Sequence, residues 1–386
     1  MAPETLIYLD CAATTPLDPA VRAAMQPFLD DEFGNAGSRT HAWGQRARAA
    51  VEHARDQIAA VAGAARGDVI FTSGATESNN LAILGLAGRT GASGHIVSSA
   101  IEHHAVLGPI AELERRGFGV TLVPPDGNGL VPVDRIMAAV RPDTLLVSLM
   151  HVNNETGAVQ PVEEVARELE GTATYFHVDA AQSFAREIET LRHPRIDMIS
   201  ASAHKIGGPK GIGALVLRRR AGARPPLHPL MFGGGQERGL RPGTMPVALA
   251  VGFGLAAERA ASEAAERRIR CTRFREALLA GLAPLDPVVN GDPRQSVSYI
   301  INLAFPGLVA EVVIDAWQDL VAVSNGAACT TQQQTCSHVL DAMQVPAWRS
   351  DGAVRLSWNA ATPEPDWPAL VAAVDTHRAP KEPASR

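Results

Sequence analysis

Four cysteines in 386 residues, Cys11, Cys271, Cys329 and Cys336, are too few and too scattered for a disulfide framework. No apolar run approaches the roughly 18 to 20 residues that a membrane-spanning helix needs. Met1-Ala2-Pro3-Glu4 has neither the basic n-region nor the apolar h-region of a signal peptide. Basic excess is missing too: 35 Lys and Arg against 41 Asp and Glu give a net charge of −6 and a pI near 6.1. Direct nucleic-acid binding is therefore disfavoured. Internal repeats are absent, and low complexity is confined to Thr330–Thr335 and a polar tail after Arg378. These absences lead to the expectation of a cytosolic protein without membrane contact. What remains is an ordinary globular composition, 46% hydrophobic and 20% charged. It is long enough to bury a large core, with two subdomains expected around one site.

Helix and strand signals alternate along the chain. Val51, Ala54, Ile58 and Val61 form the apolar stripe of an amphipathic helix. Short apolar runs at 69–71, 96–97, 120–123, 145–150, 175–178, 198–200 and 214–217 read as strands. Helical stretches at 77–86, 104–116 and 162–170 separate several of them. This pattern predicts a mostly parallel α/β sheet covered on both faces, with ligands bound beyond the carboxyl ends of its strands. From Pro246 to Leu282 the pattern predicts one long helix. Strands at 297–301, 321–323 and 354–356 and a helix at 366–376 predict a smaller α+β unit, joined by the N-terminal strand.

The chemistry concentrates at strand ends. Ser202-Ala203-His204-Lys205 closes one strand and runs into Gly207-Gly208-Pro209-Lys210-Gly211. Twenty-six residues upstream of Lys205, another strand ends in His177-Val178-Asp179-Ala180-Ala181-Gln182. A lysine and a carboxylate on separate strand ends suit pyridoxal phosphate (PLP): the lysine forms the Schiff base and the acid keeps the pyridine nitrogen protonated. Ser73-Gly74-Ala75-Thr76, between strand and helix, offers N–H groups and a dipole to a phosphate, though a plain helix cap fits as well. Ser202 and His204 are candidates for further phosphate donors, and the donor-rich segments 233–238 and 241–244 read either as a surface loop or as the completion of a phosphate site. His103, in Glu102-His103-His104, is placed to stack on a flat cofactor and move protons, or is simply a satisfied strand-end histidine. Asn154 and Gln182 are candidates for a phenolic oxygen, Asn154 equally for a turn. Cys329 stands on a loop of small residues, Ser324-Asn325-Gly326-Ala327-Ala328-Cys329-Thr330-Thr331, unlike the apolar setting of a structural cysteine. Arg355, in an alternating strand, is either a carboxylate clamp or a surface arginine on an edge strand. No metal-ligand set is read.

Taken together these segments resemble the cysteine desulfurases of the NifS/IscS type, fold-type-I PLP enzymes, over nearly the whole chain. The matching stretches are Tyr8-Leu9-Asp10 with Ala13-Thr14-Thr15-Pro16, Phe33-Gly34-Asn35, Phe71 to Ser78, Glu102-His103, Met150 to Gly157, His177 to Gln182, Ser202 to Gly213, Gly233 to Thr244, Ser324 to Cys329, and Arg355. The resemblance implies a mostly parallel seven-stranded sheet in a large domain (15–260). It also implies a smaller domain (1–14 and 261–386) carrying the cysteine loop at about 324–337. It makes Lys205 the Schiff-base lysine, Asp179 the partner of the pyridine nitrogen and His103 the ring-stacking residue. Asn154 and Gln182 face the ring hydroxyl, while Ala75, Thr76, Ser202 and His204 take the phosphate. Thr244 reaches the phosphate of a partner subunit, which implies a homodimer. Cys329 is the nucleophile that accepts sulfur, and Arg355, with Asn35, holds the substrate carboxylate.

The mechanism implied by this resemblance frees Lys205 to remove the α-proton of L-cysteine. The Cys329 thiolate then attacks the substrate sulfur, leaving a persulfide on Cys329 and releasing alanine, with His103 moving protons near the sulfur. Ala36-Gly37 departs from the family's Pro-small pair, which affects only local substrate packing. Cys336 stands where proline is usual, as a relay, a disulfide partner of Cys329 or a bystander, and Cys11 carries no assigned role. Selenocysteine lyase or an aminotransferase is the alternative activity; an aminotransferase would not need Cys329. The sulfur acceptor is a protein of iron–sulfur assembly, tRNA thiolation or DNA phosphorothioation, the Gln-rich loop and Cys336 pointing to a specialised branch such as DndA.

Overall fold

The computed structural model describes residues 6–90, 93–325 and 337–377. Cys329 and Cys336 therefore lie outside the described residues. Its strands are β1 (Ile7–Tyr8), β2 (Val69–Thr72), β3 (His95–Ser99), β4 (Gly119–Val123), β5 (Thr144–Met150), β6 (Tyr175–Asp179), β7 (Met198–Ser202), β8 (Gly213–Leu217), β9 (Val288–Val289), β10 (Ile300–Ala304), β11 (Val321–Ala322) and β12 (Ala353–Ser357). Seven of them form one sheet in the order β2-β8-β7-β6-β5-β3-β4. All neighbours are parallel except β8, which runs antiparallel to both β2 and β7. The expected mostly parallel seven-stranded sheet is thus present.

Apart from the edge strand β4, which is half-exposed, these short runs form strands because both of their faces are buried. Phe71, Ala214 and Val216 point into one core, with the helices Ala42–Ala62 and Val247–Ser262. Ile70, Leu215 and Leu217 point into the opposite core, with Ala75–Thr90 and His104–Arg115. The alternation has the two-residue period of a strand, yet no polar face appears, because helices cover each side. A third core gathers Leu9, Phe274, Leu303, Trp317, Leu356 and Trp358 around the antiparallel sheet β12-β10-β9. There β1 pairs in parallel with β11, so the N-terminal strand does join the later part of the chain. Among the described residues no helix is long and apolar enough to cross a membrane.

Two expectations need correction. The single helix over Pro246–Leu282 is two helices, Val247–Ser262 and Ala264–Leu282, broken at Glu263 with φ −95° and ψ 4°. The Glu263 carboxylate holds Arg259 at 3.1 Å and Arg267 at 2.8 Å, one on each helix, stapling the bend. The residues flanking Glu263 are mostly Ala, Glu and Arg, strong helix formers, so propensity shows no clear break. The strand expected at 297–301 begins at Ile300 instead, because the Val297 N–H is donated to the Gly157 carbonyl in another loop.

Gly254 lets the two helices on the first face approach closely. A Cβ there would sit 2.6 Å from the Cα of Ala54. Glycine in a helix costs about 0.5–1 kcal/mol relative to alanine, but overpacking against backbone costs about 1–3 kcal/mol. Gly254→Ala is therefore expected to lower the thermal midpoint, measured by circular dichroism; an unchanged or raised midpoint would show that the helices can separate freely.

Candidate active site

Parallel strands place their carboxyl ends along one edge, and there a cavity of about 580 Å³ opens. Ser73–Thr76 follows β2, His103 follows β3 and Asn154 follows β5, while Asp179 ends β6 with Gln182 just beyond it, and Ser202 ends β7 with His204 and Lys205 just beyond it; all of them border this cavity. Each chain turn there releases backbone groups that the ladder no longer pairs, which makes the edge a binding site.

Lys205 ends a short 3-10 turn, Ala203–Lys205, that closes β7. The N-terminal segment is laced across this turn. Thr15 donates its N–H (2.9 Å) and its hydroxyl (2.8 Å) to the His204 carbonyl, and its hydroxyl accepts the Gly207 N–H at 2.9 Å. The Lys205 ammonium is held by the carbonyls of Ala12 and Ala13, the latter at 3.0 Å. Its own carbonyl accepts from Arg186, whose guanidinium lies 4.6 Å from the Tyr299 ring centroid. His204 shares a proton with the Thr14 hydroxyl at 3.1 Å. Burial, aided by Lys205 and Lys210, pushes its pKa down to about 4, so it is neutral at pH 7.

Asp179, 5% exposed, has its Oδ2 held by the Asn79 amide at 2.7 Å and its Oδ1 by the Ala181 N–H at 2.9 Å. His103 caps the helix His104–Arg115, with its Nδ1 accepting the Ala105 N–H at 3.1 Å. Neutral His103 therefore carries its proton on Nε2. Burial holds its pKa below the ordinary value; Asp179 opposes this, and Lys205 adds to it. Glu102, fully buried, accepts from the Ser99 hydroxyl at 2.6 Å and the Met150 N–H at 2.9 Å. Its pKa is pushed up to about 8, chiefly by burial.

Arg355 is no surface arginine: it is 4% exposed and borders the cavity. It donates to Asp10 Oδ1 at 2.7 Å and to the Asn154 carbonyl at 3.1 Å, and its buried Nε has no partner among the described residues. Asn35 and Thr244 are both exposed and do not border the cavity; Asn35 Oδ1 instead caps the Gly37 N–H at 2.7 Å. Sequence reasoning assigns no role to Asn79 or Asp10, whose partners lie 100 and 345 residues away. It also overlooks a compositional signal. The chain has three lysines, Lys205, Lys210 and Lys381, and two of them border this one cavity.

The residues present fit PLP. Gln182 donates its amide N–H to the Ala12 carbonyl at 2.9 Å, leaving at the cavity wall a buried Oε1 that has no partner among the described residues. The turn before Ala75–Thr90 presents first-turn N–H groups that have no carbonyl four residues back. Gly213 keeps that turn pressed to the sheet, since a Cβ there would lie 2.6 Å from the Gly74 Cα. Lys205, Lys210 and Arg355 outnumber Asp179, so the cavity favours an anion carrying a phosphate and a carboxylate.

The aminotransferase class-V family model matches residues 7–366. The cysteine desulfurase IscS of Shewanella oneidensis is 42% identical over 362 residues, 93% of this chain and 89% of that protein. The crystal structure of DndA from Streptomyces lividans matches with a TM-score of 0.80 at 49% identity, covering 91% of this chain and 99% of that one. SspA in complex with cysteine matches with a TM-score of 0.81 at 37% identity, covering 92% and 100% respectively.

Glu102 ionises near 4.5 when exposed, and burial moves it to about 8. Between these values the native chain keeps a proton that the unfolded chain has lost. Its stabilising contribution is complete below about 4.5, shrinks as pH rises, and is gone above about 8. Glu102→Gln keeps the acceptor for Ser99 and Met150 but does not titrate. From about pH 5 to pH 8 the thermal midpoint of the variant is predicted to rise relative to wild type; parallel pH curves would show that Glu102 is ionised throughout.

Proposed function

This chain belongs to the aminotransferase class-V family as a PLP-dependent cysteine desulfurase, and from that premise we propose a division of labour among its residues. The observation that carries it is the convergence of Lys205, Asp179, His103 and Arg355 on one cavity. PLP, bound through Lys205, supplies an electron sink for the pair left when the substrate's α-proton departs. Asp179, oriented by Asn79, holds the proton on the pyridine nitrogen. Ala75, Thr76, Ser202 and His204 receive the phosphate, and Asn154 and Gln182 receive the ring oxygen. Thr244 completes the phosphate site of a second subunit in a homodimer.

Arg355 takes the substrate carboxylate through the Nη1 donor now spent on the Asn154 carbonyl, as a charge-assisted hydrogen bond. Asn35 is the second contact by family resemblance alone. Lys205 Nζ, released from its Ala12 and Ala13 carbonyls, takes the α-proton. His103 Nε2 moves a proton at the sulfur side. Cys329 attacks the substrate sulfur as thiolate; the Cβ–Sγ bond breaks, an S–S bond forms, and the three-carbon remainder is protonated to alanine. The persulfide passes to an acceptor protein. The 49% identity to DndA supports a specialised branch such as DNA phosphorothioation over general iron–sulfur supply. The two chain regions, 15–260 and 1–14 with 261–386, serve as large and small domains, a division supported by the separate core around β10 and β12. A cytosolic location is part of the same reading.

Alanine and sulfide release from L-cysteine, with a reductant present, tests the assignment. Cys329→Ser is expected to keep the cofactor's visible absorption and lose activity by on the order of 10²-fold or more, while Lys205→Ala loses both. Alanine formation surviving in Cys329→Ser would move the lyase or aminotransferase reading to the front.

A further inference from the structure

The turn Ser73–Thr76 is bolted at both ends to one distant segment, 237–241. β2 is an edge strand, paired with β8 on one side only. On its open side the Phe71 N–H is donated to Glu237 Oε2 at 2.7 Å. The same carboxylate forms a bidentate pair with Arg55, at 2.7 and 2.8 Å, and both side chains are buried. Arg55 also donates to the Val69 carbonyl at 2.8 Å and lies 4.7 Å from the Phe71 ring centroid. At the other end, Glu77 Oε2 accepts the Ser73 N–H at 2.7 Å and its Oε1 accepts from Arg241 at 3.1 Å. Desolvation alone would raise the Glu77 pKa, but these bonds pull it below the ordinary value, so it stays ionised as a bridge.

The segment that makes both attachments is held in a strained shape. Glu237 (φ 46°, ψ 43°) and Arg238 (φ 61°, ψ 26°) are consecutive non-glycine residues in the left-handed region, followed by Gly239 at φ 78°. Such a run persists only where surrounding contacts over-determine it, and here the Arg55 fork does so. A bolt two residues before Ser73 and another just after Thr76 leave the turn between them little freedom to re-aim its N–H groups.

We infer that Glu237, with Arg55 and Arg241, is a positioning device that sets the Ser73–Thr76 turn for the phosphate of the cofactor. This rests on the reading of that turn as the phosphate site. Glu237 does not border the cavity; it acts through the backbone of Phe71. A positioning role must show in the discrimination between PLP and pyridoxal, which lacks only the phosphate, whereas a merely structural role weakens both alike.

Dissociation constants of PLP and of pyridoxal would be measured on the full-length chain by visible absorption, for wild type, Glu237→Gln and Arg241→Gln. The second variant, on a partly exposed side chain, serves if the first fails to fold. Wild type is expected to prefer PLP strongly. Glu237→Gln should cut that preference by about tenfold, the scale of one charge-assisted hydrogen bond, and Arg241→Gln by less, with pyridoxal affinity unchanged in both. Wild type binding both molecules equally would overturn the phosphate reading itself. A wild-type preference kept intact by the folded variants, or both affinities falling together, would overturn the positioning role alone.

Discussion

Parallel strands all stop on the same side of a sheet, and the chemistry of this chain depends on that geometric consequence of its topology. Five strands, β2, β3, β5, β6 and β7, bring their following residues to a single cavity from positions spread over more than a hundred residues. The covering helices are what force this arrangement, since strands apolar on both faces have nowhere else to bury them. Placing Lys205 and Asp179 on adjacent strands, with β6 pairing β7 through Asp179 and Ser200, follows from the sheet order rather than from any local motif.

Around that edge the structure keeps charge under close control. Glu102 is buried and favours its neutral form, His103 and His204 are held neutral by burial, and Asp179 is fixed by two donors. Lys205, Lys210 and Arg355 then set a positive cavity. The two cations with assigned chemistry are both restrained, Lys205 by the carbonyls of Ala12 and Ala13, Arg355 by Asp10. Breaking the Lys205 contacts asks little, because the Ala12 carbonyl keeps its bond from the Gln182 amide and water can take the place of the ammonium. Parting Arg355 from Asp10 would cost more in so buried a setting, so the substrate is better served by the Nη1 donor that points towards Asn154.

Much of this could be read in the chain itself. The strand runs are visible because double burial makes them continuously apolar, and the strand-end motifs at Lys205, Asp179, His103 and Thr76 stand out because polar residues follow such runs abruptly. Asn79 could not be read, since its partner is 100 residues away and its own helix supplies no pattern that singles it out. Asp10 and Arg355, 345 residues apart, meet only because β1 and its following turn lie against β11 and β12. The break at Glu263 is invisible for the opposite reason: strong helix formers on both sides mask one residue that leaves the helix. Asn35 and Thr244, assigned by resemblance, stand at the surface of the single chain, and Cys329 lies outside the described residues.

The central claim is that Lys205, and not its neighbour Lys210, carries the cofactor. Borohydride reduction of the PLP-loaded protein followed by peptide mapping by mass spectrometry tests it most directly, because only three lysines compete for the label. The account predicts the reduced phosphopyridoxyl group on the peptide containing Lys205, with Lys210 unmodified. Label on Lys210, or on no lysine, would contradict it.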